Sequence, residues 1–190
     1  MQQLFKLGEN LARAQVPPVV VNMVRCGRMT ALAKPDGGVR GIVSVDVLRR
    51  LVARTMAQQL GPAVKAATAP HQYALSTRAG CECIAHTLQG LCELNPRMAI
   101  TSIDGVGAYD LISDKAMLTG LRGVDGGNSS IPFVRMFYGS PSEYLWEDDF
   151  RETRSIPQGE GGEQGDAMML VFNMTPSKWH IGACGTVSTS

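Results

Sequence analysis

The chain has 190 residues, is 44% hydrophobic and 18% charged, and carries a formal net charge of +1, which suits one medium domain, or a piece of a larger one, with apolar residues enough for a core. Its longest apolar run, Val16 to Val24, is broken by two prolines and an asparagine, so no segment is expected to span a membrane. The five cysteines form no Cys-x-x-Cys and the three histidines are not at zinc spacing, which argues against structural zinc. The odd cysteine count and the lack of an apolar signal region predict free thiols and an intracellular setting, nuclear or cytoplasmic.

Charge is unevenly placed. Residues 1–65 hold ten Lys or Arg and three Asp or Glu, a balance of +7, and residues 66–190 hold eight and fourteen, a balance of −6. Such a split suits a site for polyanions and metal, and equally two solvated surfaces. Residues 1–15 predict a short helix, with Leu4, Leu7, Leu11 and Ala12 at near-helical spacing, stopped by Pro17-Pro18. Val19 to Val24 reads as an extended, β-branched run, and Arg28 to Ala33 as a strand. Pro35-Asp36-Gly37-Gly38 between two apolar runs predicts a hairpin, because Pro presets φ and Gly allows positive φ. That hairpin carries Lys34 on one arm and Arg40 on the other. The pair suits a triphosphate or a nucleic-acid backbone, or an ordinary solvated ribbon.

Asp46 is placed to cap a helix whose Leu48, Leu51, Val52, Met56 and Leu60 make an apolar stripe, with Arg49, Arg50 and Arg54 mostly off it. Those arginines read as phosphate contacts or as a solvated face. Gly61-Pro62 is expected to end or interrupt the helix. A second helix is expected from about Cys81 to Leu94, bearing His86 with no assigned role, and Asn95-Pro96 stops it. Met98 to Ile103 reads as a strand, followed by Asp104 at its end and Tyr109-Asp110 beyond. A carboxylate at a strand end suits a magnesium ion, which takes one or two protein carboxylates; turn and cap residues are the alternative. Ser113 can cap a further helix, Gly123 to Ser130 reads as a loop, and Ile131 to Tyr138 as strand or helix. Tyr144 to Phe150 and Thr153 to Ile156 suggest a hairpin with Glu147-Asp148-Asp149 as its turn. Gln158 to Asp166 is too glycine-rich for regular structure and opens an apolar helix, Ala167 to Met174. It is not a Walker loop, since no Gly-Lys-Ser/Thr follows.

Together and in this order, these stretches resemble a reverse transcriptase of the non-LTR retrotransposon type, from about Arg28 to Met174. Lys34 to Arg40 resembles the fingers hairpin, and Ser102 to Asp110 the first palm motif. Phe137 to Trp146 resembles a connecting piece of one branch, and Gln164-Gly165-Asp166 the next palm motif. Ala167 stands where the family usually has Pro. The Asp-Asp palm motif expected after Met174 is absent, and Asp148-Asp149 lies before Gln164.

The resemblance implies an α/β (α+β) fold, polymerase fingers plus a partial palm, with a small, largely antiparallel sheet packed with helices. It divides the chain into residues 1–27, a fingers-like part 28–97, a partial palm 98–174 and a divergent tail 175–190 expected to lack fixed structure. It implies RNA-directed DNA synthesis as the ancestral activity. Asp104 would hold Mg²⁺ or Mn²⁺, Lys34 and Arg40 would face the triphosphate, Tyr109 would screen the sugar, and Gln164 and Gly165 would back the nascent base pair. RNA template, DNA primer and deoxynucleoside triphosphates are the implied partners. With one metal carboxylate, little or no polymerase activity is expected. A non-catalytic nucleic-acid-binding remnant and an inert product of a decayed retroelement are the alternatives. A palm edge left open by the missing strand predicts self-association.

Overall fold

The computed structural model describes residues 2–70, 72–74, 77–102, 109 and 111–173. Its elements in order are helices α1 (Gln2–Ala12) and α2 (Pro18–Arg25), strands β1 (Gly27–Ala33) and β2 (Val39–Ser44), helices α3 (Val47–Thr68), α4 (Gly80–Leu94) and α5 (Asp114–Arg122). A 3₁₀ turn (Gly127–Ser130), α6 (Ile131–Tyr138), strands β3 (Ser142–Glu147) and β4 (Thr153–Gln158), and α7 (Ala167–Asn173) follow. The class is α+β. Among the described residues no helix is long and apolar enough to cross a membrane, and Cys26, Cys81, Cys83 and Cys92 are free thiols.

The sheet has the order β2-β1-β3-β4. It is two antiparallel hairpins joined side by side through a parallel contact of two residue pairs, Gly27 with Tyr144 and Arg28 with Leu145. It therefore mixes strands from residues 28–97 with strands from 98–174. The run expected as a strand from Met98 is not part of it. Residues 98–102 are exposed and irregular, because a strand needs a neighbour for its backbone groups and no described strand lies beside this one.

The core lies between helices. Leu11 of α1 meets Val52, Ala53, Leu60 and Val64 of α3, Met117 and Leu121 of α5, Phe133, Val134 and Phe137 of α6, and Met168, Met169, Val171 and Phe172 of α7. The Phe133 and Phe137 rings sit 4.8 Å apart and tilted, and Tyr138 meets Phe172 edge-on at 5.5 Å; each such pair adds about 0.5–1.5 kcal/mol beyond its burial. The strands supply little to this core, since they carry Arg28, Arg40, Glu143, Glu147 and Arg154 as well as two glycines.

Two helices depart from their local signals, and a third resolves an open reading. Val19 to Val24 is helical, not extended: Pro18 occupies the first turn, where its fixed φ and missing N–H are no handicap, and Val24 packs on the core. The side chain of Arg25 donates to the Met136 carbonyl of α6. Helix α3 runs on through Gly61-Pro62 to Thr68. Pro62 is exposed, as is Gln58, whose carbonyl loses its donor, while buried Leu60 and Val64 hold the turns on either side. Ile131 to Tyr138 is settled as helix by four buried side chains, Phe133, Val134, Phe137 and Tyr138. Helix α4, by contrast, buries nothing.

Candidate nucleic-acid interface

The β1–β2 turn forms as its chemistry dictates. The Lys34 N–H donates to the Gly38 carbonyl at 2.8 Å, the Gly38 N–H donates to Asp36 Oδ1 at 3.0 Å, and Gly37 takes φ +82°. Arg28 pairs with Ser44, and Leu32 with Arg40. Alternation therefore puts Arg28 and Arg40 on one face, and Lys34 continues it two residues past Leu32. All three are exposed. The tip stands about 23 Å from the strand base at Gly27, at about 3.3 Å per residue.

The glycine-rich turn lies at the other end of the site. The Gly162 N–H donates to the Tyr109 carbonyl at 3.0 Å, so the glycine-rich turn is tied to Tyr109 two residues before Gln164. A Cβ at Gly162 would stand 2.2 Å from Met169 Sδ, so a larger residue there would make the Met169 side chain move. Gln158 Nε2 donates to the Gly161 carbonyl at 3.2 Å, and Ser142 Oγ donates to Gln158 Oε1 at 2.6 Å. Gln164 is half-buried and Gly165 exposed at φ +106°, a conformation suited to glycine.

On either side of that pair, Glu163 and Asp166 turn inward onto Arg49. Arg49 Nη2 lies 2.8 Å from Glu163 Oε2 and 3.3 Å from Asp166 Oδ2, with the three side chains at most 2% exposed. The guanidinium carbon lies 4.6 Å from the Phe137 ring centre and 5.3 Å from that of Tyr138. The Tyr138 hydroxyl donates to Asp166, whose other oxygen accepts from the Met168 N–H at 2.9 Å and caps α7. Burial alone would lower the Arg49 pKa, but Tyr138, Glu163 and Asp166 outweigh it and the group stays charged. Burial first, then the Asp166 charge, holds the Tyr138 phenol protonated. Arg49 is thus neither a phosphate contact nor part of a solvated face. The buried side of α3 is Arg49, Val52, Ala53, Leu60 and Val64, while Leu51 is 54% exposed. The i, i+4 step from Arg49 to Ala53 was the one local sign of this.

Beside the turn, Asp114 of α5 has its pKa raised to about 6, by burial and then by Glu160, against a hydrogen bond from the Gly161 backbone. Ser113 does not cap α5 through its side chain; its Oγ donates to Glu160 Oε1 at 3.4 Å. Asp148 does form a turn: it accepts from the Phe150 and Glu152 N–H groups and from Arg154 Nε.

Of the residues singled out in the sequence, Gln164 and Gly165 lie in the glycine-rich turn, and Tyr109 is tied to the same turn through Gly162. Lys34 and Arg40 share a separate ribbon, and among the described residues no hydrogen bond or ion pair joins them to the turn. Asp104 and Asp110 lie outside the described residues. Glu163 and Asp166 are committed to Arg49, and among the described residues no three His, Cys, Asp or Glu converge. No family model matches the chain, and no curated protein matches it.

Proposed function

We propose that the chain is a segment derived from a reverse transcriptase of the non-LTR retrotransposon type. In this reading it binds RNA template, DNA primer and deoxynucleoside triphosphate but polymerises little or not at all. The observation that carries the reading is the hydrogen bond from Gly162 to the Tyr109 carbonyl. It ties Tyr109, in the stretch that resembles the first motif, to the glycine-rich turn two residues before Gln164, where the next motif begins. In this reading the cations of the exposed ribbon, Lys34 and Arg40, offset phosphate charge. Gly165 lets a duplex approach the backbone without a Cβ in the way, and Gln164 lies beside it. Tyr109 screens the sugar. Asp104 is the one carboxylate assigned to Mg²⁺ or Mn²⁺. A two-metal site held by one carboxylate loses stabilisation commonly worth several kcal/mol of barrier.

Fluorescence anisotropy on an RNA–DNA primer–template across a salt series, paired with primer extension in Mg²⁺ and Mn²⁺, tests both halves. Binding should weaken steeply with salt, and Lys34→Ala and Arg40→Ala should each flatten the log–log slope by about one unit for a lost phosphate contact. Extension should be absent. No binding at low salt would refute the binding role and leave an inert retroelement product. Extension abolished by Asp104→Ala would refute the inactivity.

A further inference from the structure

We propose that Arg49 is a positioning residue: its buried ion pairs with Glu163 and Asp166 hold Gln164-Gly165 in the outward conformation in which it meets a nucleic-acid duplex. The role in binding rests on the reading above. The geometry is a clamp. Positions 163 and 166 are held in the core by one guanidinium, and between them Gln164 is half-buried and Gly165 exposed. The segment needs such a clamp, because Gly159, Gly161, Gly162 and Gly165 give it unusually high freedom to lose. Its backbone is tied at Gly161, to Gln158 Nε2 and the Asp114 carboxyl, at Gly162, to Tyr109, and at Asp166, whose N–H donates to the Glu163 carbonyl at 3.1 Å; none of these bonds is made by the Gln164 or Gly165 backbone.

Stability alone does not account for charges at this place. A buried ion cluster is often replaced by apolar residues without loss, and here Arg49 Nε and Nη1 meet no acceptor among the described residues. What the cluster adds is geometry. Arg49 lies three residues into α3 from the Asp46 cap, shortly after β2 delivers the chain from the basic ribbon. One side chain therefore ties the root of that ribbon to the glycine-rich turn.

The test is the triple variant Arg49→Met, Glu163→Gln, Asp166→Asn, which removes the charges together and keeps an oxygen to cap Met168. Circular dichroism should show a folded protein. Hydrogen exchange at amides 159–166 should speed up, and affinity for an RNA–DNA primer–template should fall about tenfold if the outward conformation drops to about a tenth of the population. The salt slope should not change, since no phosphate contact is lost; a structural defect elsewhere would not produce that combination. Wild-type exchange across 159–166 in the folded variant would overturn the proposal. So would faster exchange with wild-type affinity. If the wild-type protein binds no duplex, the functional reading fails while the exchange result still decides whether Arg49 holds the turn. If the triple variant does not fold, Arg49→Lys replaces it: faster exchange confined to 159–166 supports the clamp, and unchanged exchange there overturns it.

Discussion

Replacing Arg49 alone should be among the most damaging single changes in the chain. Arg49→Met keeps most of the aliphatic volume, so little of the effect comes from a cavity. What remains is Glu163 and Asp166, each at most 2% exposed and now without their cation. Removing one partner of a buried pair costs about 3–5 kcal/mol, and the lost stacking on Phe137, 4.6 Å away, adds about 1 kcal/mol. Against a total stability of about 5–15 kcal/mol, the variant should be marginal, with a Tm lower by about 10 °C or more. The sign of its pH dependence follows. Carboxylates buried without a cation favour the neutral form, so the deficit should be largest at pH 7.5 and should shrink on going to pH 5. Urea unfolding followed by circular dichroism at both pH values measures this. A loss under about 1 kcal/mol at pH 7.5, or a deficit that does not shrink at pH 5, would refute the account of Arg49 as the counter-charge of a dry cluster.

Asp114 gives a pH prediction of its own. Its value of about 6 lies above the ordinary carboxylate value of 3.8. The folded state thus holds a proton that the unfolded state has released, and stability falls as pH rises from about 4 to about 6. Asp114→Asn should remove that fall and gain about 1 kcal/mol at pH 7, after discounting for solvent screening; identical urea midpoints for variant and wild type at pH 7 would count against it. Gly162→Ala drives a methyl into Met169 Sδ and should cost about 1–3 kcal/mol, read as a lower urea midpoint; no change there would mean that Met169 repacks freely. The outer edge of β2 has no proline and, among the described residues, no partner strand, so self-association is expected to increase with concentration. A constant monomer mass by light scattering across a dilution series would rule that out.

Short-range chemistry carried much of the fold into the sequence. The Pro35-Asp36-Gly37-Gly38 turn, the Asp46 cap and the acidic turn at Asp148 each act within a few residues, and each formed where its residues predict. The start of α7 after the glycine-rich turn was legible for the same reason. The failures share the opposite cause. Arg49 is buried by acids far along the chain, so a local window offers only its i, i+4 step to Ala53 to set it apart from Arg50 and Arg54, which are exposed. The β-branched run in α2 was settled by packing against α6 and by Pro18, not by strand preference. Pro62 failed to stop α3 because the helix is held by its buried side rather than by its own hydrogen bonds. Of the site, the residue types and their order were readable; the inward turn of Glu163 and Asp166 was not, since alternation and helical period say nothing about a glycine-rich loop.

The two-pair joint between β1 and β3 bears on the order of assembly. Each hairpin closes over a short stretch of chain and can form early from its own turn. The joint links Gly27 to Tyr144 and Arg28 to Leu145, so its closure must wait for the intervening helices to collapse, and two rungs return little for that loop entropy. Substitutions at Gly27, where a Cβ would stand 2.4 Å from Val43 Cγ1 and 3.2 Å from Tyr144 Cδ1, should therefore speed unfolding far more than they slow folding. The joint, not either hairpin, is the part of the sheet expected to close last.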